Sequence, residues 1–96
     1  MNKLDLVKKI AERTNVDEQT VREHLKATLD IIVEAVAEGD DVLLVGFGRF
    51  GSKHRAERIG RNPKTGEPLV IKAKTMPTFK AGTAFVEVLN INPPSI

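Results

Sequence analysis

The sequence predicts an α+β fold: two N-terminal helices and one short C-terminal helix over a small antiparallel sheet, with a long two-stranded β-ribbon extending from it. Three observations carry this. Apolar residues recur at helical spacing through residues 1–39. Residues 41–75 then read as strands, interrupted by one turn-forming run, "RIGRNPKTGEP" (Arg58 to Pro68). Helical spacing returns over the last stretch, "KAGTAFVEVLN".

The elements follow in order. Asn2 is positioned to cap a first helix over residues 3–13, with Asp5 beside its positive end and Leu4, Val7, Ile10 and Ala11 on one face. Asp17 caps a second, longer helix whose apolar stripe is Val21, Leu25, Leu29, Ile32 and Val36, and Gly39 stops it. Ile31 and Val33 widen that stripe, either as a broad core face or as a surface that meets another chain. "DVLLV" (41–45) has no polar position from Val42 on, so a strand buried on both faces is expected. "GFGRF" (46–50) is a tight turn between two Phe side chains. Residues 49–59 and 69–75 read as the two hairpin strands, with 60–68 between them and Pro77 ending the second. A last helix, residues 81–90 from Ala81 after "KA", turns Ala84, Val88, Phe85 and Leu89 inward. The tail, residues 91–96 ("INPPSI"), reads as loose.

At 96 residues the chain is one domain: a helical part (1–39), a sheet with its arm (40–80, arm about 53–75), the short helix and the tail. Without cysteine there is no disulfide framework, thiolate chemistry or Cys-based zinc site. The amphipathic start "MNKLDLVKKIAERT" lacks the apolar core of a signal peptide, and no apolar run approaches ~20 residues. A cytoplasmic chain without a membrane partner is therefore expected. If residues 52–75 project, about seventy residues remain to build a core, which is marginal for a lone monomer. Oligomerisation is the remedy left. Phe47, Phe50 and Phe79, with the stripe residues Leu29, Ile32 and Val36, are the candidates for a shared core; an ordinary monomer core is the other reading.

Charge separates the chain further. Residues 49–80 hold nine Lys/Arg against Glu57 and Glu67, a local net of +7; the remaining residues hold six Lys/Arg and eleven Asp/Glu, a net of −5. An acidic body with a basic protrusion fits a polyanion met by one region only. On a regular strand Lys53, Arg55 and Arg61 share one face and Arg58 takes the other. Charge that blocks edge pairing on a solvated ribbon would give a similar composition. Reach favours phosphate binding: roughly eight residues per strand at ~3.3 Å each span about 25 Å, enough to follow a groove partly around a duplex. Pro63 is ordinary turn chemistry in "NPKTG". As an exposed, rigid ring at the end of a basic ribbon, it is also suited to act as a wedge between base pairs.

The stretch "GFGRFGSKHRAERIGRNPKT" (Gly46 to Thr65) resembles the signature of the bacterial histone-like HU/IHF family. The likeness extends from "MNKLDLVKKIA" through "EGDDV" to "TFKAG", nearer to HU in its last segment. The resemblance implies an intertwined dimer, of two copies or with a sister subunit, whose two arms embrace the minor groove of double-stranded DNA. HU and IHF are themselves standing examples of minor-groove architectural proteins, so that mechanism comes with the likeness. It implies Pro63 as the intercalating tip and Arg55, Arg58 and Arg61 as arm contacts. Lys53, Asn62, Lys64, Lys72 and Lys74 complete the candidate arm set, and Lys3 and Lys80 the surface beneath the DNA. It further implies association with the bacterial nucleoid, or with viral DNA, and a preference for nicked, bent or distorted duplex. Thr83 and Val86 depart from the pattern, standing where HU-like chains usually carry lysines.

The leading expectation is a sequence-tolerant, DNA-bending protein. An IHF-type, sequence-specific bender is the nearest alternative; Leu43, Leu44 and Val45 before the turn offer no hydrogen-bonding side chains for it. Single-strand binding calls for exposed aromatic platforms, and the chain has four Phe and no Tyr or Trp. An enzyme is the poorest fit. His24 and His54 have no matched acid, nucleophile or third ligand at metal-site spacing, so no catalytic residue, metal or cofactor is expected.

Overall fold

A computed structural model describes residues 1–91, so the tail expected at 91–96 lies almost wholly outside the described residues. Helix α1 (Lys3–Thr14) and helix α2 (Glu18–Ala37) come first. Strands β1 (Val42–Leu44), β2 (Gly48–Arg55), β3 (Arg58–Arg61), β4 (Pro68–Ile71) and β5 (Lys74–Ala81) follow, then helix α3 (Thr83–Ile91). The chain divides into two compact units, Met1–Glu34 and the residues from Ala35 onward.

In the first unit local chemistry sets the helix ends. Asp5 donates its N–H to the Asn2 side chain (2.9 Å), and Asn2 donates its own to Asp5 (3.2 Å), a reciprocal capping box. Asn15, in the left-handed region at φ 56°, ends α1 with its N–H on the Ala11 carbonyl. Thr20 then donates its N–H (3.0 Å) and its hydroxyl (2.7 Å) to Asp17, which caps α2 as the sequence predicts. Val7 and Val21 are the buried hydrophobic side chains of the described residues. Further along α2 the stripe loses its cover: Leu25 is half-buried, Leu29 is exposed, and Ile31 and Val33 are exposed as well.

In the second unit a three-stranded antiparallel sheet has the order β1-β2-β5, and β3-β4 forms a separate two-stranded ladder. Four phenylalanines gather here. Phe50 faces Phe79 across β2 and β5 with ring centroids 4.9 Å apart, and Phe47 lies 5.6 Å from Phe79 and 5.4 Å from Phe85. Gly48 makes this possible. A Cβ there would stand 2.6 Å from the Phe79 ring and 2.7 Å from the Lys80 carbonyl oxygen.

Four expectations need correction. The β1 segment is shorter than 41–45 and is not buried on both faces: Leu43 and Leu44 are exposed, because β1 is an edge strand paired with β2 alone. Pro77 does not end the second hairpin strand. β5 runs through it to Ala81, with Pro77 opposite Ser52, and β5 is also an edge strand, where a missing N–H is tolerated. That extension uses residues 80 and 81, so α3 starts at Thr83; its first bond runs from the Val86 N–H to the Gly82 carbonyl. Finally, Ala84, Val88 and Leu89 do not face inward within the single chain, where all three are exposed; Phe85 alone of the four packs against an aromatic neighbour.

Candidate nucleic-acid interface

The ribbon is a double ladder with a break. β2 and β5 pair from Gly48–Ala81 to Arg55–Lys74, and β3 and β4 pair from Arg58–Ile71 to Arg61–Pro68. Neither strand gains a residue across the break, so no bulge resets the register: three steps forward from Arg55 and three back from Lys74 reach the next rung. The alternation of side chains therefore carries through. Lys53, Arg55, Lys74 and Arg61 fall on one face, with Arg58 and His54 on the other, as strand periodicity predicts. The loop between the strands is residues 62–67, shorter than the expected 60–68, because Arg61 still pairs with Pro68.

That loop is tightly built. Asn62 donates its N–H to the Glu67 carbonyl (2.9 Å), and Gly66 donates its own to the Asn62 carbonyl (2.7 Å). Lys64 donates its N–H to the Asn62 side-chain oxygen (2.9 Å), the turn geometry Asn favours. Arg61 reaches back to the Gly66 carbonyl at 3.3 Å. Gly66 has φ 73°, a conformation strained for any residue with a side chain. Pro63 stands exposed at the tip of this fixed frame. The Asn62 oxygen is thus occupied within the loop, while Lys64 is held at the tip beside Pro63.

The candidate cations are brought together unevenly. Lys53, Arg55, Arg58, Arg61, Lys64, Lys72 and Lys74 all lie on the ribbon, exposed, and among the described residues none is in a salt bridge. Lys72 sits in the unpaired break. Lys80 lies lower, opposite Arg49 in the β2–β5 ladder, beside a shallow depression lined by Gly46, Gly48 and Thr83. Lys3 opens α1 in the other unit. Arg49 was not singled out by sequence reasoning; its place in a cation pair with Lys80 follows only from the register. His54 shares a hydrogen bond with Thr75 across the ladder at 3.0 Å, which ties its ring to the ribbon. Among the described residues, no group of three or more His, Asp or Glu could hold a metal ion. No helix of the described residues is long and apolar enough to cross a membrane.

Comparison with known proteins is consistent along the chain. A family model described as bacterial DNA-binding protein matches residues 1–90. The DNA-binding protein HU-beta of Neisseria meningitidis serogroup A is 46% identical over 89 residues, covering 93% of this chain and 100% of that protein. HU-beta of Salmonella typhimurium is 43% identical over 90 residues, 94% of this chain and 100% of the relative. Among solved structures, the Anabaena HU–DNA cocrystal matches with a TM-score of 0.83 at 46% identity, covering 98% of this chain and 100% of that one. HU from Thermotoga maritima matches with a TM-score of 0.66 at 28% identity, over 93% and 98% of the two chains. The chain therefore belongs to the bacterial DNA-binding protein family, as a histone-like protein of the HU type.

Proposed function

We propose that this protein is a double-stranded DNA-binding, DNA-bending architectural protein that works as a dimer, grips the minor groove with its ribbons and has low sequence specificity. The single observation that carries this is the ribbon itself: seven exposed, unpaired cations on a two-stranded ladder that ends in a rigid proline tip. HU-type proteins are architectural and not enzymes, which agrees with the absence of any catalytic constellation in the sequence. The function asks for no cofactor.

The physical steps are few. Each Lys or Arg that neutralises a phosphate releases a condensed counterion, which favours binding at low salt. The cations lie on both faces of a ladder thin enough to enter a groove, so both phosphate walls are within reach. Pro63 has no charge and no donor N–H, so it adds little Coulombic attraction. Its role is to fill the gap at an unstacked base step, at a cost of a few kcal/mol that further ribbon contacts offset. Nicked, mismatched or bent duplex has already met part of that cost, so it is the preferred target. Association with the nucleoid follows from sequence-tolerant binding, and viral DNA would serve the same contacts.

Dimerisation is supported by the apolar surface that one chain leaves open. The second unit buries no hydrophobic side chain among the described residues, and Phe47, Phe79 and the later part of the α2 stripe stand partly exposed. Two copies, or one copy and a sister subunit, would cover that surface jointly. Salt-matched titrations of intact, nicked and single-stranded probes, with the mass of the free protein measured by sedimentation, test the whole proposal. A dimer that binds nicked duplex over intact duplex, and both over single strand, is the expected result. A folded monomer, or a preference for single strand, would overturn it; a site bound about a thousandfold above random duplex would replace low specificity with the IHF-type mode.

A further inference from the structure

We propose that the distal ladder reads base composition, favouring A·T-rich minor groove through the aliphatic pair Ile59 and Val70. This rests on the ribbon's entering the minor groove, as proposed above, and adds a residue pair that sets what it prefers there.

The two faces of the β3–β4 ladder differ. On one, Gly60 faces Leu69 and Arg58 faces Ile71. The Ile71 side chain lies over the glycine, its Cδ1 2.7 Å from where a Cβ would be, so the apolar groups of that face serve the ladder's own packing. The other face carries Ile59 directly opposite Val70, with Arg61 and Pro68 on the adjoining rung. Ile59 is 76% exposed and Val70 57%. The sheet β3–β4 has no third strand. An exposed aliphatic pair on a basic ribbon has no packing role to explain it. Arg61 on the same face supplies the charge that would draw the pair against a polyanion.

In the minor groove A·T pairs present only acceptors, whereas G·C adds the guanine 2-amino donor. A ribbon face made of Ile59, Val70 and Pro68 offers that donor no acceptor. Pressed against the groove floor, it would leave the amino group dehydrated and unpaired, and would meet it sterically. Against A·T the same face meets a smoother floor. Arg61 adds in the same direction, since A-tract grooves are narrow and strongly negative. The preference is for a class of base pair and not for a sequence, which is compatible with low specificity.

Duplexes that differ only in the 2-amino group provide the test. Four probes of equal length are titrated at one salt concentration: A·T, G·C, inosine·C (amino group removed) and diaminopurine·T (amino group added). The parent should bind A·T and inosine·C about tenfold more tightly than the other two, the low end of what one misread base pair costs. Ile59→Thr and Val70→Thr, β-branched replacements that keep the strand, should bring the ratio close to one. Leu69→Thr on the opposite face should leave it unchanged, with circular dichroism checking that each variant is folded. Equal parental affinity for all four duplexes would overturn the inference and leave the DNA-binding proposal standing. A ratio that survives in both Thr variants would overturn it too, placing the discrimination elsewhere. Failure to bind any duplex would instead remove the reading on which the inference rests.

Discussion

The helical unit and the ribbon are both rich in charge, yet they use it in opposite ways. On α2, Lys26 lies 2.6 Å from Asp30 and Arg22 lies 3.6 Å from Glu18, each pair one helical turn apart. The ribbon holds Glu57 and Glu67 among its cations, but among the described residues neither is in a salt bridge. A helix brings residues i and i+4 together, so alternating signs along one face satisfy themselves. The ladder places its rungs in fixed opposition, and here the charged rung Arg55–Lys74 sets like charges face to face. That arrangement is unfavourable in the free protein and is relieved by an anion. The lesson is that charge count alone does not mark a binding surface; what marks it is charge the fold leaves without a partner.

Removing the base of the ribbon should have the largest effect. Phe47 touches three other Phe rings, so Phe47→Ala removes the hub of the only aromatic cluster in the described residues. A loss of roughly 3–5 kcal/mol is expected for a buried Phe, and the dimer would bury this one. Such a loss is comparable with much of a small domain's stability, so the variant should unfold instead of yielding a stable monomer. Thermal melting and sedimentation together would check this.

Next comes a change that gives the ribbon what the helix already has. Lys74→Glu places an acid opposite Arg55, a favourable cross-strand pair in the free protein. The fold should hold while DNA affinity falls, and the slope of log affinity against log salt should drop by about two if both cations of the rung contact phosphate. Arg58→Ala and Arg61→Ala should each act about half as strongly, lowering that slope by about one on every duplex tested. Unchanged slopes would place those side chains off the phosphates.

The smallest effect belongs to the helical unit. The hydroxyl and N–H of Thr20 hold the Asp17 carboxyl below its ordinary value of 3.8. A carboxyl lowered on folding contributes stability above its unfolded value and loses it as pH falls through the folded one. Asp17→Ala should therefore lower the melting temperature at pH 7, and the gap to the parent should close as pH drops below about 4. DNA affinity at fixed salt should not move.

Much of this architecture is legible in the residues, for physical reasons that differ by element. The helix starts are announced by single side chains, Asn2 and Asp17, whose capping is a local matter and therefore local in sequence. The ribbon's facing pattern follows from strand alternation, which survives the break because the register is kept. What local reasoning misses depends on pairing. Pro77 looks like a strand stop until β5 is known to be an edge, where its missing N–H is tolerated. The cation pair Arg49–Lys80 and the aliphatic pair Ile59–Val70 join residues far apart in the chain, and no spacing rule finds them. The inward faces expected for β1 and α3 assume a partner surface that one chain does not contain.

The bend made by Pro63 tests the central claim most directly. Cations without a mechanical element would bind DNA without shaping it, and Pro63 is the one candidate for mechanical work at the ribbon tip. The measurement is the bend angle by FRET between the ends of intact and nicked duplexes, for the parent and Pro63→Ala, with affinity titrated at several salt concentrations. The expected result is a smaller bend on intact DNA, an almost unchanged salt slope, and the least loss of affinity on nicked DNA, where little unstacking remains to be done. If Pro63→Ala bends intact duplex as fully as the parent, the wedge is contradicted and Pro63 is a turn residue.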